Sequence, residues 1–221
     1  MNDPDYWNVS PTEAIHIQEC LSDRVCLDDD FEPLRTVAGV DLSIGRGWKE
    51  GKCGIVVLSF PELEVLATQT LTAPVTFPYI PGLLAFRETP IFLQTYELLQ
   101  IKPDLLFFDG HGYAHPRRFG IASHAGVLLD KPSIGCAKSK LIGRYDEPGN
   151  DAGSVSPLFA PDGERIGDVL RTKPGVKPVF ISPGHKISFK SATELALKCT
   201  RGRRIPEPTR LAHNLVSLSQ L

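Results

Sequence analysis

The sequence predicts an α/β fold in a single domain, in which helices flank a mixed β-sheet. Three β-rich runs follow one another with short turns between them, and such short links join antiparallel neighbours. Helical and strand-like segments then alternate, and the apolar run LLFF (105–108) is typical of a strand buried on both faces. The chain has 221 residues, of which 42% are hydrophobic and 23% charged. This composition excludes a disordered chain.

The N-terminal half contains a helix, a three-stranded meander and a second helix. The first helix is predicted over 11–26, where apolar residues recur every three to four positions. The meander strands are predicted at 36–44, 53–60 and 64–71. Thr89 and Pro90 have the pattern of a helix cap followed by proline in the first turn, so the second helix is predicted to begin there. The buried strand at 105–108 follows it.

The C-terminal half continues the alternation of helices and strands. Helices are predicted at 120–129, 192–200 and 209–220, and strands at 133–137, 164–172 and 177–182. The segment 143–163 is rich in Gly, Pro, Asp and Ser and predicts a loop. Ser191 and Glu194 have the spacing of a capping box. Right-handed crossovers place the fourth strand beside the first, which is the order of a ribonuclease H-like sheet.

Charge is distributed unevenly, although the formal net charge is only −2. Residues 1–35 carry nine acidic and two basic side chains, whereas residues 171–221 carry two acidic and ten basic ones. This asymmetry favours a polyanionic partner at the C-terminal end, and a solvated lysine-rich surface is the alternative. The candidate phosphate contacts are Lys186, Lys190, Arg201, Arg203, Arg204 and Arg210.

Other features of the sequence exclude further classes of protein. No apolar run approaches the roughly 20 residues that a membrane helix needs, and the acidic N-terminus lacks the features of a secretory signal. The five cysteines form no CxxC pair, which indicates reduced thiols. We therefore expect a cytoplasmic protein with no membrane partner. Residues 1–221 should form one domain, with an acidic helical segment over 1–35.

Two aspartates follow the predicted central strands. Asp41 comes after VAGV and Asp109 after LLFF, at the strand ends where open α/β sheets place ligand sites. A buried, unpaired carboxylate would cost several kcal/mol, which a cation offsets. Together with Glu88, just before the predicted helix, these oxygens suit magnesium. Taken alone, each acid is more often a helix-cap or turn residue than a metal ligand.

Two basic side chains are weaker candidates for the same site. His213 lies on the last predicted helix, away from the apolar stripe, where a solvent-facing histidine is the common outcome. Lys138 follows the predicted strand 133–137, where its charge needs a phosphate or a carboxylate as partner. An ordinary exposed lysine is the alternative there.

Seven blocks of the sequence together span roughly residues 36–216. They are VAGVDLS (37–43), FPYIPGLLAFRE (77–88), PDLLFFDGHG (103–112), AHPRRFGIASHAGVLLD (114–130), SIGCAKSKL (133–141), ISPGHKIS (181–188) and RRIPEPTRLAH (203–213). In this order the blocks resemble the endonuclease V family, the deoxyinosine 3′-endonucleases of DNA repair, and seven blocks are far more specific than a lone motif. Cys136 stands where the family usually has valine, and His111 at a position that varies.

The resemblance implies a role for each matching residue. Asp41 and Asp109 match the metal-binding aspartates, and Glu88 matches the third acid of the catalytic site. His213 matches the histidine that completes this site, and Lys138 matches the lysine that approaches the scissile phosphate. The implied substrate-binding residues are Tyr79 at the tip of a wedge loop, Gly82, Leu84, Gly112, His115 and Gly120. Arg117 and Arg118 lie next to this group in the sequence and are further candidates for phosphate contacts.

The function implied by the resemblance is that of a magnesium-dependent DNA repair endonuclease. It would recognise deoxyinosine in single- or double-stranded DNA and hydrolyse the second phosphodiester bond 3′ to it, leaving a 3′-hydroxyl and a 5′-phosphate. Mn²⁺ is expected to substitute for Mg²⁺, and the protein is expected to act as a monomer. Two alternatives stay open: an endoribonuclease specific for inosine in RNA, and a non-catalytic module that binds inosine. For Tyr79, the alternative to a wedge is an aromatic side chain packed on the core.

Overall fold

The computed structural model describes residues 4–44 and 49–217. Eight strands form one sheet in the order β3-β2-β1-β4-β5-β8-β7-β6. The strands are β1 (Thr36–Ile44), β2 (Glu50–Ser59), β3 (Val65–Pro74), β4 (Leu105–Phe108), β5 (Ser133–Ala137), β6 (Val155–Phe159), β7 (Arg165–Leu170) and β8 (Val179–His185). The helices are α1 (Pro4–Trp7), α2 (Pro11–Ser22), α3 (Leu84–Glu97), α4 (Ile121–Leu129), α5 (Phe189–Lys198) and α6 (Glu207–Ser217).

The sheet is mixed, as predicted. Strand β4 lies parallel to β1 and to β5, and the other strand pairs in the sheet are antiparallel. The fourth strand therefore lies beside the first, and the order 3-2-1-4-5 of a ribonuclease H-like sheet is confirmed. Strands β1 and β5 have the predicted bounds. None of the described helices is long and apolar enough to cross a membrane.

Strand alternation builds a hydrophobic core on each face of the sheet. In β4, Leu105 and Phe107 join a cluster with α5 and α6, whereas Leu106 and Phe108 join a cluster with α3 and α4. Successive side chains of a strand point to opposite faces, so a strand covered on both sides must be apolar throughout. The four residues of β4 are all buried.

A close approach of α6 to β1 brings the C-terminal part of the chain to the centre of the sheet. A β-carbon on Gly39 would lie 1.8 Å from the carbonyl oxygen of Pro208, so only glycine permits this packing. Pro208 is in the first turn of α6, and Gly39 lies two residues before Asp41. The contact therefore places α6 over the strand end that carries Asp41.

Several element boundaries differ from the predictions. Helix α3 begins at Leu84, so Glu88, Thr89 and Pro90 lie inside it rather than at its start. Burial of Ala85 and Phe86, each no more than 2% exposed, stabilises the earlier turn despite the internal proline. Helix α2 ends at Ser22 rather than at 26, and α1 was not predicted.

Two further corrections concern the C-terminal half. The predicted loop 143–163 contains the edge strand β6, whose burial alternates between exposed and buried residues. Helix α5 begins earlier than predicted and is capped by Ser188, whose hydroxyl accepts a hydrogen bond from the Ser191 amide. The predicted Ser191–Glu194 capping box was therefore wrong. Helix α6 begins at Glu207, and the predicted end at 218–220 lies outside the described residues.

Candidate active site

The two predicted aspartates lie side by side at the end of the central strand pair. Strands β1 and β4 are parallel, with Val40 opposite Phe108, so the next residue of each chain segment is Asp41 or Asp109. The Asp109 amide donates a hydrogen bond to the Val40 carbonyl at 3.2 Å. The side chains are 11% and 15% exposed, respectively, and Asp41 Oδ1 accepts from the Leu42 amide at 2.9 Å.

His213 reaches this pair of carboxylates from α6. Its Nδ1 lies 2.8 Å from Asp41 Oδ2, while the imidazole stays 52% exposed. The exposed imidazole agrees with the helical periodicity, and its role in the site, which the resemblance implies, stays a prediction. One ligand atom from each of Asp41, Asp109 and His213 lies within 4.8 Å of the other two.

Glu88 is half-buried on α3 and lies outside this group of three potential ligands. Burial, followed by the negative charge of Asp41, raises its pKa to about 8. The pKa of Asp41 is raised as well, first by burial and then by the charge of Asp109. The three acids therefore share one electrostatic environment, although Glu88 is not a direct neighbour in the ligand cluster.

Lys138 follows β5, the strand next to β4, and forms an ion pair with Asp109. Its side chain is 40% exposed, so the ammonium group is also open to solvent. The predicted need of this charge for a partner is therefore met by a carboxylate of the cluster.

The cluster has the donors and the charge that a divalent cation requires. Two carboxylates and one imidazole offer oxygen and nitrogen ligands from three different segments of the chain. Burial, followed by the nearby negative charges, raises the pKa of Asp41 and of Glu88, which means that the protein does not fully compensate their ionised forms. A bound cation would supply that compensation, and hard oxygen ligands favour magnesium or manganese.

A cavity with a volume of about 120 Å³ is lined in part by residues that are sequence neighbours of the acidic site residues. Its wall includes Gly110 and His111, which directly follow Asp109, and Ala85, which is one helical turn before Glu88. Tyr79 lines the mouth of the cavity and is 57% exposed, so its predicted alternative as a core aromatic was wrong. Five of the six predicted substrate-binding residues line this cavity: Tyr79, Gly82, Leu84, His115 and Gly120.

Gly112 is the predicted substrate-binding residue that does not line the cavity. Its amide donates to the Ser182 hydroxyl at 2.9 Å, and its carbonyl accepts from the Gly120 amide at 3.0 Å. Gly112 therefore supports the cavity wall from behind, because its backbone is fully committed to neighbouring segments.

His115 lines the cavity, but protein groups use both of its ring nitrogens. Nε2 lies 3.0 Å from the Gly82 carbonyl oxygen, and Nδ1 accepts from the Arg117 amide at 3.2 Å. Since a carbonyl can only accept, the proton is on Nε2. Burial, with the charge of Arg117, lowers the pKa of His115 to about 3, so the ring is neutral at physiological pH.

Sequence reasoning missed several lining residues, among them Gln18, His111 and Leu141. Gln18 gave one usable signal, because it follows Ala14 by one helical turn and thus puts a polar group on the buried side of α2. Leu141 is an exposed apolar residue three positions after Lys138, and nothing in its sequence context marks it as part of a site.

Most of the candidate phosphate-binding side chains are engaged with the protein itself. Arg204 donates to the carbonyls of Lys138, Lys177 and Pro178 at 2.8–3.0 Å. This observation favours a bracing role for Arg204 over a phosphate contact. Other candidates form ion pairs within the protein: Arg203 and Arg210 with Glu207, Lys186 with Asp30 and Asp130, Lys190 with Glu194, and Arg118 with Asp162 and Glu164.

The family model for endonuclease V matches residues 19–214. The chain belongs to the endonuclease V family. It is 50% identical over 215 residues to endonuclease V of Trichormus variabilis, with 97% of each chain covered. As a member of this family it is an endonuclease, and its acidic cluster fits a metal-dependent enzyme.

Solved structures of endonuclease V share the fold over nearly the whole chain. The Streptomyces avermitilis protein is 42% identical with a TM-score of 0.93, covering 98% of this chain and 96% of that one. The Ciona intestinalis protein is 31% identical with a TM-score of 0.84, covering 95% and 97%. That Ciona structure is a complex with a 24mer DNA containing an inosine followed by a ribo-adenosine.

Proposed function

We propose that this member of the endonuclease V family cuts DNA at deoxyinosine. It would hydrolyse the second phosphodiester bond 3′ to the lesion and leave a 3′-hydroxyl and a 5′-phosphate. The observation that carries the proposal is the junction of two sites, since Gly110 and His111 line the cavity and directly follow Asp109 of the acidic cluster. The inosine-containing DNA bound to the Ciona relative supports the same assignment.

The cavity would hold the extruded hypoxanthine base. Hypoxanthine pairs less well than adenine, so taking it out of the stack costs less, which contributes to selectivity. Tyr79 lies at the mouth of the cavity on a loop stiffened by Pro78 and Pro81, and its ring would fill the gap in the stack. Gly82 and Gly120 line the cavity with backbone, which brings amide and carbonyl groups close to the base.

Asp41 and Asp109 would hold the magnesium ion, and manganese would substitute for it. When bound, the cation supplies Lewis acidity, which activates water and stabilises negative charge on the phosphate. His213 fixes the orientation of Asp41 through the 2.8 Å contact. Lys138, paired with Asp109, offers its ammonium group to the scissile phosphate.

Glu88 would position the attacking water and accept its proton. Without a cation, burial and the charge of Asp41 raise the pKa of this carboxyl group to about 8. A bound cation would lower that pKa, which would leave the carboxylate ionised and able to accept a proton. The water oxygen forms a bond to phosphorus, and the bond from phosphorus to the 3′ oxygen breaks. That oxygen takes up a proton and becomes the 3′-hydroxyl, while the phosphate stays on the 5′ end.

The proposal is tested with four end-labelled oligonucleotides of one sequence: DNA and RNA, each with inosine or adenine at a single position. With Mg²⁺, the inosine DNA should be cut one nucleotide beyond the lesion, and the adenine DNA should stay intact. The Asp109→Asn variant, purified in the same way, controls for contaminating nucleases. Equal cutting of inosine and adenine DNA would contradict the proposal.

The alternative substrate is inosine in RNA. The observation that favours it is the ribo-adenosine that follows the inosine in the DNA bound to the Ciona relative. An enzyme that requires the 2′-hydroxyl should cut inosine DNA only when a ribonucleotide stands 3′ to the lesion. Binding without any cutting, at saturating Mg²⁺ or Mn²⁺, would instead support the non-catalytic module.

We also propose that residues 1–221 act as one catalytic domain and as a monomer. The acidic cluster and the cavity are both complete within one chain. The molecular mass measured by light scattering, with and without inosine DNA, tests this proposal. A dimer that forms only on DNA would contradict it.

A further inference from the structure

The carbonyl oxygen of Gly82 accepts hydrogen bonds from three side chains. Arg117 Nη2 donates at 2.7 Å, His115 Nε2 at 3.0 Å and Gln18 Nε2 at 3.2 Å. A carbonyl oxygen has two lone pairs, so three donors on one oxygen exceed its usual number of partners. This convergence indicates that the Gly82 carbonyl is held in one position. Gly82 has a φ of +83°, a conformation that side-chain-bearing residues rarely adopt.

Gln18 also links Gly82 to the opposite side of the cavity. Its side chain is fully buried, and Nε2 donates a second hydrogen bond to the Phe119 carbonyl at 3.1 Å. Its Oε1 accepts from Arg117 Nε at 2.7 Å. Gly82 and Gly120, the residue after Phe119, both line the cavity. One amide group therefore connects both walls and the arginine between them.

We propose that Gln18 is a positioning residue of the base pocket, which together with Arg117 fixes the Gly82 carbonyl and ties α2 to both cavity walls. The inference rests on the proposed function, since that is where the cavity is assigned to the extruded base. It gives a role in substrate recognition to the acidic N-terminal segment.

The hydrogen-bond pattern requires an amide at position 18. A glutamate would still accept from Arg117 Nε, but its second oxygen would face the Gly82 and Phe119 carbonyls as another acceptor. A methionine of similar length would fill the space and leave both carbonyls and the guanidinium with fewer partners. Each buried group that loses its partner weakens the hold on the cavity wall.

The same geometry assigns Arg117 to the pocket rather than to a phosphate. Its Nε and Nη2 donate in two directions, to Gln18 Oε1 and to the Gly82 carbonyl. Lysine has the same charge but only a single ammonium group, so it cannot reproduce this planar fork. Arg117→Lys therefore separates the two roles, because a phosphate contact would survive the substitution and the pocket contact would not.

The experiment compares Gln18→Glu, Gln18→Met and Arg117→Lys with the wild type in two measurements. The first is the ratio of kcat/KM for inosine DNA to that for adenine DNA, which should fall about tenfold or more in each variant. The loss should be mainly in KM, because the acidic cluster is untouched. The second is amide hydrogen exchange over residues 78–83 without substrate, which should become faster.

The matched control is Gln69→Met. Gln69 is half-buried on the edge strand β3 and donates one hydrogen bond to the Thr70 carbonyl at 3.1 Å. This variant loses a glutamine amide outside the pocket and should keep the wild-type ratio and the wild-type exchange over 78–83. Thermal melting shows which variants are folded. If neither Gln18 variant folds, the substrate ratio and the exchange of Arg117→Lys test the proposal.

The proposal is overturned if a folded variant at Gln18 keeps the wild-type exchange over 78–83 or the wild-type substrate ratio. An Arg117→Lys variant with wild-type behaviour in both measurements would also overturn it. If the wild type itself does not prefer inosine DNA, the proposed function fails instead. In that case the exchange measurement, which needs no substrate, still decides whether Gln18 fixes the loop.

Discussion

The acidic cluster and the cavity proposed to hold the base (the base pocket) are linked by Gly110 and His111, which follow Asp109 and line the cavity. The two sites differ in whether the protein itself supplies partners for their polar groups. In the cluster, burial and the charge of Asp109 raise the pKa of Asp41, and burial and the charge of Asp41 raise that of Glu88 on the neighbouring helix α3. In the pocket, the Gly82 carbonyl accepts three hydrogen bonds, and burial lowers the pKa of His115 to about 3 so that its ring is neutral.

The difference shows which site depends on a ligand. A cation from outside the chain would stabilise the like charges at the strand ends, so the cluster as proposed is complete only when a cation is bound. The pocket wall is held in place by the protein's own amide, imidazole and guanidinium groups. The wall is therefore preorganised, which would reduce the ordering cost of binding the proposed base. Substitutions in the two regions should consequently affect different steps.

The largest effect is expected from Asp41→Asn and Asp109→Asn. Each removes a charged ligand of the cation, and a loss of several kcal/mol in the transition state corresponds to about a thousandfold slower cutting. Affinity for inosine DNA in Ca²⁺ or EDTA should stay within a few-fold of the wild type, because the pocket is intact. Single-turnover cleavage and fluorescence anisotropy measure the two quantities. A variant that cuts normally with Mg²⁺ would remove its aspartate from the metal site.

Tyr79→Ala should show the reverse pattern. Stacking of an aromatic side chain on a base contributes about 1–3 kcal/mol, so the preference for inosine over adenine DNA should fall about 5–150-fold. Cleavage of bound inosine DNA should slow much less, since the acidic cluster does not include Tyr79. Tyr79→Phe is the control that keeps the ring. If the alanine variant retains the full preference, the wedge role is wrong.

A smaller effect is expected in the pH dependence of thermal stability without metal. The pKa of Glu88 is raised from 4.5 to about 8, so the folded state holds this proton more tightly than the unfolded state. Stability should therefore fall as the pH rises from about 5 to 8. Glu88→Gln should weaken this fall and melt at a higher temperature than the wild type at pH 8, but not at pH 5.

Melting curves in EDTA at several pH values measure this effect, with the exposed Glu62→Gln variant as the control for loss of one charge. Mg²⁺ should reduce the fall in the wild type, because a cation stabilises the ionised acids. His115 acts in the opposite direction. Its lowered pKa means that stability is lost as the pH falls from about 6.5 towards 3. Identical pH profiles for Glu88→Gln and the wild type would show that the pKa of Glu88 is not raised in the metal-free protein.

The two regions also differ in how much of them the sequence predicted. Asp41 and Asp109 follow apolar strands, so local pattern and strand pairing were sufficient to bring them together. His213 was assigned only through the family resemblance, because its contact with Asp41 depends on the close packing of α6 at Gly39. Long-range approach of this kind leaves no periodic signal in the sequence.

Five residues of the pocket were predicted through the family resemblance, but the support that Gln18 gives to its walls was not. Gln18 lies 64 residues from Gly82 and 99 from Arg117 along the chain, and no local pattern reports on such contacts. Strand β6 was missed for a different reason. Its flanks are rich in glycine, proline and serine, and pairing with β7 rather than local propensity makes it a strand.

The smallest effects are expected at the C-terminal arginines. There, substitutions of the adjacent residues Arg203 and Arg204 distinguish a phosphate contact from a role in holding the backbone in place. Arg204 holds the carbonyl of Lys138 and those of Lys177 and Pro178. Arg204→Gln should therefore lower the melting temperature and slow cutting, with the salt dependence of DNA affinity unchanged. Arg203 is 62% exposed and lies 3.3 Å from Glu207, which Arg210 also binds. Arg203→Gln should hardly change the melting temperature, because exposed ion pairs contribute about 0–1 kcal/mol.

If Arg203 contacts a phosphate, its loss should weaken binding to inosine and ordinary DNA by a similar factor. It should also reduce the slope of log affinity against log salt by about 1. Affinities of both variants at four or more salt concentrations, together with melting curves, measure the two roles side by side. A reduced slope for Arg204→Gln would contradict the bracing role. An unchanged slope for Arg203→Gln would mean that Arg203 does not contact a phosphate. The positive charge of the C-terminal segment would then be compensated within the protein, and the phosphate contacts would lie elsewhere.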